Sequence, residues 1–176
     1  MSFRVASAAV MLSLVTVVVC ARGQNASSDW QPARPAYAWS FPRDHAAHPG
    51  YRNEWWYFVG HLEDDAGRRY GYQLTLFRIG IAPAPPGWNS SWDASDIAMG
   101  HLAITEIDAD PGRHTFAEAV HRATRALGGF GTGVGAGVGD GDTLAWCQAP
   151  AGSRGRWTVR LAPPTGDSLG TAFDLD

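Results

Sequence analysis

The chain has 176 residues, 14 basic against 17 acidic, and a formal net charge of −3. All of its basic residues are arginine, which excludes any Schiff-base, general-base or phosphate-loop lysine, and the small negative charge excludes a general nucleic-acid binder. The length fits one globular domain, 45% hydrophobic residues are enough for a packed core, and eight tryptophans suit sheet faces and apolar pockets alike.

The N-terminus reads as a targeting segment. Arg4 precedes an uncharged, mostly apolar stretch over residues 5–19, shorter than the roughly 20 residues of a membrane-spanning helix. Val19, Cys20 and Ala21 follow as a small-residue cleavage site, so residues 1–21 are expected to be a signal peptide. The protein is then exported: periplasmic, secreted, or anchored as a lipoprotein. Its only membrane contact would be the signal itself or a lipid on Cys20. The valine before Cys20 favours plain export. Cys147 remains as the sole cysteine of the mature chain. That excludes a disulfide framework and points to a buried small hydrophobe. Neither a metal nor a cofactor is expected; His45 and His48 have a spacing that is weak evidence for a metal site, with no partner cluster.

Residues 22–42, rich in Ala, Pro, Ser and Arg, read as a linker to a domain over residues 43–176. The first strand is predicted over 53–62, NEWWYFVGHL, and a polar turn at 63–68 leads into a second over 69–79, RYGYQLTLFRI, forming a β-hairpin. Residues 81–93 are a Pro- and Gly-broken loop, and a third strand is predicted over 97–107. Residues 113–120 read as a fourth strand, although the run EAVHRATRAL fits a short helix as well. Residues 128–141 form a glycine-rich loop with neither a phosphate-loop lysine nor a calcium-repeat register. Short strands follow at 144–148, 156–162 and 169–175. Strands of this length separated by turns imply an all-β sandwich or barrel.

Alternation places Glu54, Trp56, Phe58 and Leu62 on one side of the first strand and Trp55, Tyr57, Val59 and His61 on the other. Both sides are aromatic, so the strand is expected to be covered on both or to form a barrel wall with a filled interior. Glu54 among aromatic rings would be desolvated, and a carboxyl kept protonated in this way can serve as a general acid. Pairing with Arg78 or Arg52 is the plain alternative. Gln73 and Thr75 are placed to hydrogen-bond inside a cavity, and His101 is a polar group on an apolar strand, more often a core or rim histidine than a catalyst.

The residues FPRDH at 41–45, HPGYRNEWWY at 48–57, GYQLTLFR at 71–78 and MGHLAIT at 99–105 resemble the AttH/carotenoid 1,2-hydratase lipocalin-like family. The resemblance is strongest over 41–125. It implies tandem lipocalin-like antiparallel β-domains around a large apolar ligand, and an export signal in many bacterial members. Relatives hydrate an isolated carbon–carbon double bond of a carotenoid, act on polyketide-derived substrates in fungi, or are called predicted secreted hydrolases. The sequence stops where a first domain would finish, so a second lipocalin-like domain is an expected partner, and with it the later half in which the hydratase residues mainly fall. The expected function is an exported protein that binds or hydrates an apolar, isoprenoid- or lipid-like small molecule. Glu54 would be the proton donor, and His101 or Gln73 would position the water. Trp55, Trp56, Tyr57, Gln73 and Arg78 would contact the ligand. A non-catalytic carrier and a secreted hydrolase are the alternatives; the second lacks a Gly-x-Ser-x-Gly elbow.

Overall fold

The computed structural model describes residues 29–83, 90, 92–124, 126–131, 142–165 and 168–176. The expected signal peptide lies outside them. The domain is all β, as the lipocalin-like reading requires: two four-stranded antiparallel sheets stack face to face, each in simple sequence order. The first holds β1 (Asn53–Glu63), β2 (Arg69–Gly80), β3 (Asp96–Glu106) and β4 (Arg113–Arg122). The second holds β5 (Gly128–Phe130), β6 (Thr143–Gln148), β7 (Arg156–Thr165) and β8 (Ser168–Leu175).

The β1–β2 hairpin is closed by Asp64. Its carboxylate accepts the backbone N–H of Ala66 and of Arg68, both at 3.0 Å, and the Arg68 Nε at 2.8 Å. Gly67 supplies the left-handed residue of the turn, at φ 76°. The ladder then runs in unbroken register from Asn53 opposite Ile79 to Glu63 opposite Arg69, which sets Glu54 directly across from Arg78.

Leu74, Leu76, Ala98 and Ala119 of the first sheet meet Leu144, Cys147, Trp157 and Val159 of the second. Full burial of a side chain such as Leu74 or Val159 stabilises the fold by about 1.5–3 kcal/mol. The sheets approach closely at Gly100, where a Cβ would lie 2.9 Å from the Trp157 ring and 3.1 Å from Cys147 Sγ. At the β4 side the layers are stitched by the Ala151 N–H donating to the Glu118 carbonyl and by the His121 ring against the Gln148 carbonyl, both at 2.8 Å.

Several expectations change. The stretch open to strand or helix is strand through Arg122, because its alternation turns Ala117 and Ala119 toward the core. The first three residues of the glycine-rich stretch form β5, and a Cβ on Gly128 would stand 2.7 Å from that of Ala98. Glycine is used there for close approach; residues 132–141 lie outside the described residues. The first strand is not covered on both sides: Trp55 is 64% and Tyr57 52% exposed, since the second sheet covers only the Trp56 and Phe58 face. Gln73 and Thr75 follow the uncovered face, so Gln73 lines an open outer groove with His61 and His114 instead of an interior cavity.

Candidate functional site

The start of β1 is overlaid by the segment that precedes it. Residues 37–52 fold back across the strand end, turned by a one-turn 3₁₀ helix at Arg43–His45. Trp56 anchors this turn: its indole N–H donates to the His45 carbonyl at 2.8 Å while its ring stacks 5.8 Å from Phe130 of β5. The Ala47 N–H donates to the Gly131 carbonyl at 2.8 Å, fastening the segment to the second sheet as well.

Asp44 is buried inside this turn. It accepts hydrogen bonds from Arg43 Nε and the Ser40 N–H, both at 2.7 Å. These donors, Arg43 first, hold its carboxyl well below the usual carboxylate range. Four residues on, His48 places its Nε2 3.4 Å from Asp44 Oδ1 and its Nδ1 2.6 Å from Glu54 Oε1. The His48 backbone N–H also reaches both Glu54 oxygens, each at 2.8 Å. An imidazole with both nitrogens against carboxylate oxygens can donate from both only when doubly protonated.

Behind Glu54 lies Arg78, 2% exposed. Its guanidinium donates to the Tyr51 carbonyl at 2.8 and 3.0 Å and stands 3.5 Å from Glu54 Oε2 and 3.3 Å from Asp96 Oδ1. A line of alternating acidic and basic groups, Asp44, His48, Glu54, Arg78 and Asp96, thus crosses the end of the sandwich. A buried cation of this kind is sustained by just such a set of carbonyl and carboxylate partners.

Two hollows open onto this line. One, of about 240 Å³, is walled by Tyr37, Trp39 and Tyr51, with His48 and Glu54 on its surface. The other, of about 400 Å³, is lined by Trp39, Trp55, Trp56 and Tyr57 together with the same His48 and Glu54. Tyr37 meets Trp39 edge-on at 5.0 Å and faces the His48 ring at 6.1 Å. Aromatic walls around an acid–base pair form a site able to hold an apolar molecule and move a proton at one point on it.

Of the residues picked out from sequence, Glu54, Trp55, Trp56 and Tyr57 converge on the second hollow, and Arg78 stands behind Glu54. Glu54 shares its side with Trp56 and Phe58, but its oxygens face the donors of His48 and Arg78, so it is no isolated carboxyl among rings. Gln73 and His101 do not join it. They lie on the opposite face of the sheet, where His101 packs between Phe77 and Phe116 at 5.2 and 5.5 Å. The sequence assigns no site role to Tyr37, Trp39, Asp44 or Tyr51, and His48 stands out in it only by its spacing from His45 and its place in the HPGYRNEWWY motif. The available signal was a histidine six residues ahead of Glu54 across the Pro49–Gly50 turn. Among the described residues no group of His, Cys, Asp and Glu is placed to hold a metal ion.

The family model described as AttH-like matches residues 32–154 of the chain. No curated protein matches it. Among solved structures it is similar to a protein from Nitrosomonas europaea provisionally assigned as an AttH, with 24% identity and a TM-score of 0.47, over 77% of this chain and 41% of that one. The chain therefore spans less than half the length of that protein.

Proposed function

The chain belongs to the AttH-like family, and from that premise we propose that it is an exported protein that holds an apolar, isoprenoid- or lipid-like molecule in the aromatic cleft at the head of β1 and hydrates it. The observation that carries this reading is the His48–Glu54 contact of 2.6 Å on the surface of a hollow walled by Tyr37, Trp39 and Tyr51. Hydration of an isolated double bond needs a proton delivered to one carbon and water added to the other. The proton would come from the His48–Glu54 pair. The tertiary cation so formed would be stabilised by the neighbouring ring faces, and the attacking water would return its proton to the pair, so that the net change is addition of one water. Gln73 and His101 lie on the far side of the sheet, which leaves water positioning to the cleft's own groups.

A second reading, the non-catalytic carrier, is favoured by the full engagement of Glu54: both its oxygens already take the His48 N–H, and Arg78 stands beside them. The hydrolase alternative gains no support, since among the described residues neither hollow is lined by a serine or cysteine. The reading retains a second β-rich domain as partner, for which the uncovered Trp55 and Tyr57 face supplies apolar surface.

The test pairs tryptophan quenching with mass-spectrometric detection of a hydrated product, using an acyclic carotenoid in mixed micelles. Glu54→Gln is expected to abolish product and to keep quenching. Quenching by the wild-type protein without product would establish the carrier, and unaltered turnover in Glu54→Gln would remove Glu54 from the chemistry.

A further inference from the structure

The cleft's charges are almost all spent on one another. Arg43 is committed to Asp44, and Arg78 to Tyr51, Glu54 and Asp96. Glu54 is offset by His48 and Arg78. Arg34 is the exception. It lines the 240 Å³ hollow beside Tyr37 and Tyr51, and among the described residues it makes no ion pair or hydrogen bond. It also lines an adjoining groove of about 480 Å³ formed by Pro32, Pro35, Tyr37 and Tyr51, so this exposed arginine borders both hollows.

The backbone around it is set for this position. The Gln31 N–H donates to the Gly50 carbonyl at 2.8 Å, fixing the segment to the turn that carries Tyr51. Pro32 and Pro35 restrict the chain on either side of Arg34. Ala36 then adopts a φ of 62°, a left-handed conformation that alanine rarely takes. That kink leads directly into Tyr37, which faces the His48 ring.

We infer that Arg34 selects a ligand with an anionic end, an apolar chain terminating in a carboxylate or a phosphate, whose body lies along Tyr37 and Trp39 with the reacting segment at Glu54. A guanidinium pairs both oxyanions with two parallel N–H donors, which no other free group of the cleft provides among the described residues. The inference rests on the apolar-ligand reading of the same site and names the class of ligand within it. Anchoring one end would also fix which bond along the chain meets the His48–Glu54 pair.

The experiment compares four probes sharing one chain, each below its micellar concentration or, for the alcohol, its solubility limit: dodecanoate, dodecyl phosphate, dodecanol and dodecyltrimethylammonium. Binding is followed by tryptophan quenching. At least one of the two anions is expected to bind about fivefold more tightly than dodecanol, in keeping with a partly exposed ion pair; the stronger of them identifies the head group. Arg34→Gln should bring that anion to the level that dodecanol shows with the same variant, and Arg34→Glu should turn the preference toward the ammonium probe. Equal binding of dodecanol and both anions, or an anion preference that survives Arg34→Gln, would overturn the inference while leaving the apolar cleft intact. Failure of all four probes to bind would remove the cleft and the inference together.

Discussion

Replacing Arg78 by methionine keeps much of the side chain's volume and takes away its charge. In the folded protein the guanidinium supplies two hydrogen bonds to the Tyr51 carbonyl and faces Glu54 and Asp96 at 3.5 and 3.3 Å. Without it, two carboxylates and a carbonyl oxygen are left around an apolar stem. Removing one partner of a buried ion pair costs about 3–5 kcal/mol. Here the carboxylate side chains keep 15% and 18% exposure, and Glu54 retains its His48 donors, so the lower end applies, about 3 kcal/mol. At 2–4 °C per kcal/mol for a domain of this size, the melting temperature should fall by roughly 6–12 °C. Urea unfolding followed by tryptophan emission measures the loss. A double-mutant cycle with Glu54→Gln should return a coupling of about 1 kcal/mol or more. A loss below about 1 kcal/mol with no coupling would refute the reasoning: His48 alone would then position Glu54, and Arg78 would serve as an apolar spacer.

Two further predictions follow from the same geometry. The Asp44 carboxyl is depressed in the folded state, chiefly by the Arg43 hydrogen bond. Its contribution is present above the unfolded value near pH 4 and is lost as the pH falls from there toward the folded value. The advantage of the wild-type protein over Asp44→Asn in urea midpoint should therefore shrink between about pH 6 and pH 2, and a constant difference would contradict the assignment. Gly100→Ala adds a methyl 2.9 Å from Trp157 and 3.1 Å from both Cys147 and Leu76, and should cost about 1–3 kcal/mol in the same unfolding assay; a neutral result would mean that the sheets separate there without penalty.

The β1–β2 hairpin was readable because NEWWYFVGHL and RYGYQLTLFRI alternate at period two and the Asp- and Gly-bearing turn between them has its own local chemistry. The sides of each strand were readable for the same reason: Glu54 grouped with Trp56 and Phe58, and Gln73 with Thr75. The motifs at 41–57 and 71–78 carried the family. Alternation sorts side chains into two sets without saying which set is covered, and that choice belongs to the second sheet. Trp157, Cys147 and Val159 cover the Leu74 and Leu76 side, leaving Trp55, Tyr57, Gln73 and His101 on the other. The same choice separates Glu54 from the two groups expected to position water for it.

The acid–base pair was out of reach for a different reason. His48 and Glu54 are close in sequence, but their contact depends on residues 37–52 folding back, and that fold is held from elsewhere: by Phe130 stacking on Trp56, by Gly131 accepting the Ala47 N–H, and by Arg78 reaching the Tyr51 carbonyl. The sequence by itself determined an all-β chain, its first hairpin and its family, because these rest on local periodicity and on contiguous motifs. Only the tertiary structure decided which face of the first sheet is buried and which histidine meets Glu54, because both depend on contacts between segments that local pattern does not link.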